Sequence, residues 1–434
     1  MTESFPPSEF ASSRRICFVE PEREYTELDV SQRSLALSTV LTRHSITRAA
    51  VLSTDPFHLV RALWACNLTG ADLYIVNPEV PSAYVDQLIS MRSIQLKIGE
   101  SDELVVSAHP QQSTAGVFLM TSGTTGAPKI VEHSMASLLP RKHPSSPSAS
   151  SSVDRWLLTY QATGFAGLQV ILTAVLTGAA LVVPSKRTPI GFHEAAVRHQ
   201  PTHISGTTTF WRTFLLQLRP GELKRVRQAT LGGEPVDQAI LDALARALPK
   251  ARISHTYAST ETGVVYAVHD GRAGFPKSWL DDNSRNVGIR IRDGHLEVLS
   301  PRRMRGYSAT LSATPVPFTW ITTHDQCEIR GDRVVIVGRQ DAVISVAGTK
   351  VDPFVVLEAI LKAEQVVDAR VYGVSSPICG NLVAADVVLL EGEDEDQARA
   401  AILERCTAFL TPPQIPRIIN FLSAIEARPS GKRT

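Results

Sequence analysis

The stretch Thr121-Ser122-Gly123-Thr124-Thr125-Gly126-Ala127-Pro128-Lys129 decides how this chain is read. Small hydroxyls surround two glycines, and a single cation closes the run. Glycine has no Cβ, so its backbone turns tightly and its N–H groups can approach an anion; the hydroxyls add donors and Lys129 neutralises charge. The apolar run from Ala115 to Met120, broken by Gly116, makes this a loop leaving a buried strand. It is not a Walker A loop, because Pro128 separates Gly126 from Lys129 where Gly-Lys-Ser/Thr would be required. The chemistry is that of a phosphate grip, and a plain Ser/Thr-rich surface turn is the weaker reading.

With 434 residues the chain can bury a large core and is expected to form two or three domains. Lys and Arg number 44 against 43 Asp and Glu, so no nucleic-acid partner is implied. The five cysteines, Cys17, Cys66, Cys327, Cys379 and Cys406, form no close pair, which suggests reduced thiols and a cytoplasmic setting. Residues Met1 to Arg15 lack the apolar centre of a signal peptide. The longest apolar run, Val170 to Val183, contains Thr173, Thr177 and Gly178 and is too short to span a bilayer. A soluble protein with no membrane span is expected.

Before the loop, strand-like and helix-like segments alternate. Ala49 to Ser53 reads as a strand, Pro56 to Leu68 has helical spacing, and Asp72 to Val76 reads as a strand again. Such βαβ units favour parallel sheets covered by helices. The rhythm recurs from Trp156 to Val183 and from Thr202 to Leu231, with a Ser/Pro-rich loop from His143 to Ser152 between. From Gly288 to Val298 and from Glu328 to Val337, short strands with Asp-Gly and Gly-Asp turns predict a β-rich region. The pattern changes after Asp341: strand 342–346, helix 353–362, strands 369–374 and 384–390, helix 396–409 and strand 417–422 form a compact α+β unit. The fold class is therefore α/β. A large N-terminal domain, residues 1–338, carries parallel-type sheets with helices and a β-rich subdomain. A hinge follows at 339–341, then a small mobile C-terminal α+β domain at 342–434.

Further segments carry chemistry. In Leu231-Gly232-Gly233-Glu234-Pro235 the glycines admit a flat ring close to backbone. In His255-Thr256-Tyr257-Ala258-Ser259-Thr260-Glu261-Thr262-Gly263 an aromatic face, a hydroxyl and a carboxylate fall within five residues, as a nucleotide site needs. Thr322-Thr323-His324-Asp325 offers a bidentate acceptor for a vicinal diol. Gly338-Arg339-Gln340-Asp341, with Gly348 and Pro353 beyond, and Arg428-Pro429-Ser430-Gly431-Lys432 follow. Taken in this order after the 121–129 loop, these segments resemble the adenylate-forming superfamily of acyl-CoA synthetases, aryl-acid ligases, nonribosomal adenylation domains and luciferases.

The resemblance implies roles by position. Thr121, Ser122, Gly123, Thr124, Thr125, Gly126 and Lys129 grip the phosphates of ATP, and Gly233 and Glu234 flank adenine. Tyr257 stacks on adenine, Thr260 donates to a phosphate, and Glu261 holds Mg2+. Asp325 accepts the ribose hydroxyls, Arg339 reaches ribose or phosphate, Asp341 is the pivot, and Lys432 bridges the acid and the α-phosphate. The chain departs from the family pattern at Ala258, His324 and Ser345, where glycine, glycine and lysine are usual. A methyl at 258 would narrow the acid pocket. Asp332 competes with Asp325 as a ribose ligand, but its position resembles a hairpin turn.

The segment Tyr160-Gln161-Ala162-Thr163-Gly164-Phe165 resembles the family's acid pocket, where His serves acyl and aryl ligases and Asp serves amino-acid activators. Neutral Gln161 offers no counter-charge to a buried ammonium group, which disfavours α-amino acids. Gly206, Thr207, Gly232 and Ala258 supply the other walls. The hydroxyls of Thr207 to Thr209 suggest a somewhat polar substrate, unless they merely cap the following helix.

The expected function is ATP-dependent conversion of a small carboxylic acid to an acyl-adenylate, with Lys432, Thr260 and Glu261 catalytic. Acyl transfer to a thiol follows, with CoA the foremost acceptor. A carrier-protein phosphopantetheine or an amine acceptor would share every motif, and a non-catalytic nucleotide or acyl-adenylate binder is the rival of another class.

Overall fold

The computed structural model describes residues 13–20, 23–105, 112–121, 129–140, 154–282, 284–307, 319–339, 344–346, 349–351, 353–376 and 380–425. Strands Arg48–Val51 and Asp72–Ile75 are buried along their whole length, as strands covered on both faces must be. They lie in a seven-stranded sheet with the order Gly306–Tyr307, Lys129–Ser134, Gly116–Thr121, Asp72–Ile75, Arg48–Val51, Leu96–Ile98, Glu103–Leu104. The four strands from Gly116–Thr121 to Leu96–Ile98 in that order run parallel. A second sheet has eight strands, in the order Gly263–Val268, Arg252–Ser259, Gln228–Gly232, His203–Gly206, Arg155–Leu158, Ala180–Val182, Ile16–Val19, Glu24–Thr26.

Helices fill the space between these sheets. One apolar core joins Val51, Leu73 and Leu119 of the first sheet to Phe18, Leu158 and Leu181 of the second, through Leu59, Leu63, Leu168 and Ile171 of helices Pro56–Thr69 and Phe165–Thr177. Local chemistry sets these helices. Asp55 caps Pro56–Thr69 by accepting from the Phe57 amide, Pro56 occupies its first turn, and Gly70 ends it at φ 71°. The apolar run 170–183 is cut by Gly178 at φ 68°, which separates helix Phe165–Thr177 from strand Ala180–Val182.

The β-rich region is an antiparallel five-stranded sheet in the order Phe275–Pro276, Arg333–Arg339, Ile321–Arg330, His295–Leu299, Gly288–Arg292. The C-terminal residues build a fourth sheet from Ile344–Val346, Thr349–Val351, Val366–Ser376, Gly380–Leu389 and Ile418–Phe421, with helices Pro353–Ile360 and Glu395–Phe409. Among the described residues, its core runs from Ile344 to Phe421 and draws only on this C-terminal unit.

The α/β class is therefore observed, with its large sheet-and-helix body, β-rich region and small α+β unit. The N-terminal strands and helix Glu27–Arg43 carry little periodic pattern, although Thr26 and Asp29 form a reciprocal capping box at the start of the helix. The 143–152 loop and residues 340 and 341 of the expected hinge lie outside the described residues. Among the described residues, no helix is long and apolar enough to cross a membrane.

Candidate active site

Thr121 and Lys129 are register partners in the antiparallel pair Gly116–Thr121 and Lys129–Ser134, so the phosphate-loop motif is the connection of a hairpin. Ser122, Gly123, Thr124, Thr125 and Gly126 lie outside the described residues. Lys129 is exposed, and its Nζ sits 5.5 Å from the centre of the Tyr307 ring. The Tyr307 hydroxyl in turn donates to Glu261 Oε1 at 3.3 Å. The expected phosphate cation and the expected metal carboxylate therefore meet at one aromatic side chain.

Thr260 and Glu261 form the turn between strands Arg252–Ser259 and Gly263–Val268. The turn is held from several sides. Ser259 Oγ accepts from the Thr262 amide at 3.1 Å, and the Glu261 carbonyl accepts from the Met304 amide at 2.8 Å. The Thr260 carbonyl accepts from His133 Nε2 at 2.7 Å. Gly263 is at φ +71°, and a Cβ there would meet the Arg302 carbonyl oxygen at 2.7 Å, so only glycine fits without a shift. His133 is fully buried on strand Lys129–Ser134, and burial pushes its pKa down to about 4. It is a neutral ring whose Nε2 donates and whose Nδ1 faces Ser137 Oγ at 2.9 Å.

The nucleoside candidates also converge. Tyr257 donates its hydroxyl to Asp325, while its ring stacks on Tyr266 with centroids 5.4 Å apart. Burial first, and the Asp325 carboxylate next, hold the Tyr257 phenol well above its ordinary range, so it remains a donor. Asp325 is buried and is the register partner of Arg339, the final residue of strand Arg333–Arg339. His324 takes φ 62°, the left-handed conformation that glycine adopts freely. The backbone thus keeps a glycine-like bend with a histidine in place. Asp332 lies in the turn between strands Ile321–Arg330 and Arg333–Arg339, exposed and paired with Arg272, which removes it as a ribose ligand.

In the acid-pocket segment, the buried Tyr160 hydroxyl donates to the Gly232 carbonyl at 3.0 Å. Gly233, at φ +87°, turns the backbone beside Thr207, whose Cγ2 would lie 3.8 Å from a Cβ there. Glu234 Oε2 accepts from the Thr209 amide at 2.8 Å, and its buried Oε1 has no hydrogen-bond partner among the described residues. Gln161 is half-buried and donates to Asn77 Oδ1 at 3.3 Å. Phe165 stands 5.9 Å from the His133 ring, and Ala258 packs against the same core as Phe165. Gly206 is required by Phe210, whose Cδ1 would lie 2.1 Å from a Cβ at 206.

The threonines bear on helix Thr208–Gln217. Thr207 accepts from the Phe210 amide at 3.0 Å, and Thr208 donates to the Pro235 carbonyl at 2.8 Å. The Thr207 and Thr208 hydroxyls thus cap and anchor helix Thr208–Gln217, the second of the two readings that the sequence allows. Lys432 lies outside the described residues. His133 and Tyr307 escaped the sequence reading. The signal for His133 was a histidine in the otherwise strand-like run Ile130-Val131-Glu132-His133; for Tyr307 it was Arg305-Gly306-Tyr307 just beyond a β-rich segment.

Glu261 brings one hard carboxylate to the same aromatic side chain that the Lys129 ammonium meets. That set suits Mg2+, which takes one or two protein carboxylates and completes its shell with phosphate oxygens and water.

Residues 94–307 match the AMP-binding enzyme family model, and residues 356–432 match that of the AMP-binding enzyme C-terminal domain. The chain is 24% identical over 446 residues to 2-succinylbenzoate–CoA ligase of Bacillus velezensis, covering 92% of this chain and 89% of that protein. It is 26% identical over 343 residues to the mitochondrial acyl-coenzyme A synthetase ACSM4 of Rattus norvegicus, covering 72% of this chain but only 58% of that protein's length. A solved structure of O-succinylbenzoate coenzyme A synthetase from Bacillus subtilis, in complex with ATP and magnesium ion, has the same fold. Its TM-score is 0.69 at 20% identity, covering 97% of this chain and 95% of that one.

Proposed function

This chain belongs to the family of AMP-binding enzymes, and on that premise we propose that it activates a small carboxylic acid with ATP as an acyl-adenylate, releases pyrophosphate, and passes the acyl group to a thiol, CoA foremost. The observation that carries the reading is the convergence of Lys129 and Glu261 on Tyr307, with Tyr257 bonded to Asp325 on the nucleoside side.

A carboxylate is a poor electrophile at neutral pH, so its oxygen attacks the α-phosphorus of ATP and pyrophosphate leaves. That step needs positioning and charge neutralisation rather than a protein nucleophile. Tyr257 and Asp325 hold the adenosine, and Lys129, Thr260 and the Thr121–Thr125 donors hold the phosphates. Lys432 bridges the acid and the α-phosphate. Glu261 would hold Mg2+, which when bound neutralises charge on the phosphate oxygens. Tyr160, Gln161, Phe165, Gly206, Gly232 and Ala258 line the acid, and the neutral Gln161–Asn77 pair favours an acyl, aryl or hydroxy acid over an α-amino acid. Residues 342–434 then turn about 339–341 and admit the thiol, which attacks the acyl carbonyl as AMP leaves.

CoA as acceptor rests on the length shared with a CoA ligase. Carrier-protein phosphopantetheine is the alternative acceptor. A cytoplasmic setting belongs to the same proposal and rests on the scattered cysteines, of which Cys17, Cys66, Cys327 and Cys406 are free. The test is acid-dependent exchange of labelled pyrophosphate into ATP across fatty, aromatic, hydroxy and amino acids, followed by a thioester assay with CoA. Exchange with neutral acids is expected. ATP binding without exchange for any acid would make the chain a nucleotide binder instead.

A further inference from the structure

Segment 302–307 is stitched to both halves of the phosphate site. The Arg305 amide donates to the Glu132 carbonyl at 2.7 Å, and the Arg305 guanidinium reaches Glu132 Oε1 at 3.2 Å and the Thr114 carbonyl at 2.9 Å. Tyr307 is the register partner of Val131, which ties it to the strand that begins at Lys129. On the other side, the Met304 amide holds the Glu261 carbonyl, and Arg302 packs against Gly263. The segment is thus pinned to the hairpin strand and to the acidic turn at once. Tyr307 is its last described residue before 308, and 41% of its surface is exposed, so packing alone does not explain an aromatic there.

From this we infer that Tyr307 is a positioning residue that sets the spacing between the metal carboxylate of Glu261 and the phosphate cation of Lys129. Its hydroxyl donates to Glu261 Oε1, leaving the carboxylate one defined orientation in which to meet a cation. The negative face of its ring receives the Lys129 ammonium, which fixes a flexible four-carbon side chain. Partners that orient a ligating carboxylate are worth about ten- to a hundredfold in metal affinity, and a half-exposed bond of 3.3 Å belongs at the lower end. This inference rests on the proposed function for the identity of the ligands, but its test does not need turnover.

The experiment is a titration of Mn2+ into the full chain with ATP, following free Mn2+ by electron paramagnetic resonance. Tyr307→Phe keeps the ring and removes the hydroxyl. It should weaken Mn2+ binding about tenfold while leaving ATP affinity in chelator, where no metal contributes, and the melting temperature unchanged. Tyr307→Leu removes the ring as well and should also weaken ATP binding in chelator, by about threefold. In a Glu261→Gln background the Tyr307→Phe loss should vanish, because the hydroxyl acts through that carboxylate. Wild-type Mn2+ affinity in Tyr307→Phe, or an undiminished effect in Glu261→Gln, overturns the role. Pyrophosphate exchange on the same samples separates the two ideas: a wild-type chain that binds Mn2+ and ATP tightly but exchanges with no acid loses the proposed activity and keeps the Tyr307 role.

Discussion

His133 carries neither charge nor substrate, yet the acidic turn leans on it. Its ring must stay neutral to sit fully buried between the Thr260 carbonyl and Ser137. Burial lowers its pKa from 6.5 to about 4. The unfolded chain therefore binds more protons than the fold between those values, so the contribution is complete above pH 6.5 and is lost as pH falls toward 4. The full loss is about 3 kcal/mol at the usual 1.4 kcal/mol per unit. Urea midpoints measured at pH 7, 5.5 and 4.5 should fall steadily, and His133→Gln, which keeps an N–H donor, should flatten the decline. Some slope should persist, because burial also lowers His203 to about 4 and depresses His255 and His199. A midpoint flat with pH in the wild type would mean the buried ring tolerates protonation. At this scale, legibility followed chemistry borne on one residue. Tyr257, Glu261 and Asp325 could be picked out because an aromatic, a carboxylate and a diol acceptor announce nucleotide binding. His133 and Tyr307 act through a turn and a carboxylate far away in sequence, and neither spacing nor residue type declares such a partner.

At the scale of elements, period and punctuation were enough for most of the chain. Apolar runs placed strands at 49–53 and 72–76, against the observed Arg48–Val51 and Asp72–Ile75; Gly178 divides a run that looks continuous; and alternation placed strands at 328–337, within the observed hairpin of Ile321–Arg330 and Arg333–Arg339. What sequence withheld was pairing between remote segments. The two-residue strand Gly306–Tyr307 has no pattern of its own and exists only because Lys129–Ser134 offers an open edge. The role of Gly263 was hidden for the same reason: it follows Thr262 as an ordinary turn glycine, but the Arg302 carbonyl lies against it. Gly263→Ala would place a methyl 2.7 Å from that oxygen at φ +71°. Strain and contact together should cost about 2 kcal/mol or more, read as a lower urea midpoint. The turn and the 302–307 segment must then separate, so the Mg2+ requirement of pyrophosphate exchange should rise in the same variant. A destabilised protein with an unchanged Mg2+ requirement would mean that the turn does not depend on this contact.

At the scale of the molecule, two mixed sheets with parallel centres, packed around shared helices, form a body, and residues 344–421 close a core of their own. The change of pattern after Asp341 made the second unit legible from sequence, whereas the stacking of the sheets was not, since Phe18 and Leu119 meet the same helices only through topology. The small unit rests on the body at defined places. Helix Pro353–Ile360 meets strand Arg333–Arg339, and helix Thr208–Gln217 meets strand Val366–Ser376. Glu358 lies half-buried in this contact with Arg330, Lys362, Asp237 and Glu328 nearby, and burial raises its pKa above the usual carboxylate range. Contacts this polar and limited suit a joint that opens and re-forms rather than a permanent core. If the two half-reactions need two arrangements, the joint must turn between them, and the Gly338-Arg339-Gln340-Asp341 segment is where the proposal puts the pivot. Proline fixes φ near −65° and would hold one arrangement. Asp341→Pro should therefore form acyl-adenylate at close to the wild-type rate and transfer it to CoA at least tenfold more slowly, since only transfer requires the turn. The assay is a burst of pyrophosphate with little thioester, read in a single-turnover experiment. Equal loss of both steps would point to a misfolded variant, and wild-type transfer would place the pivot elsewhere.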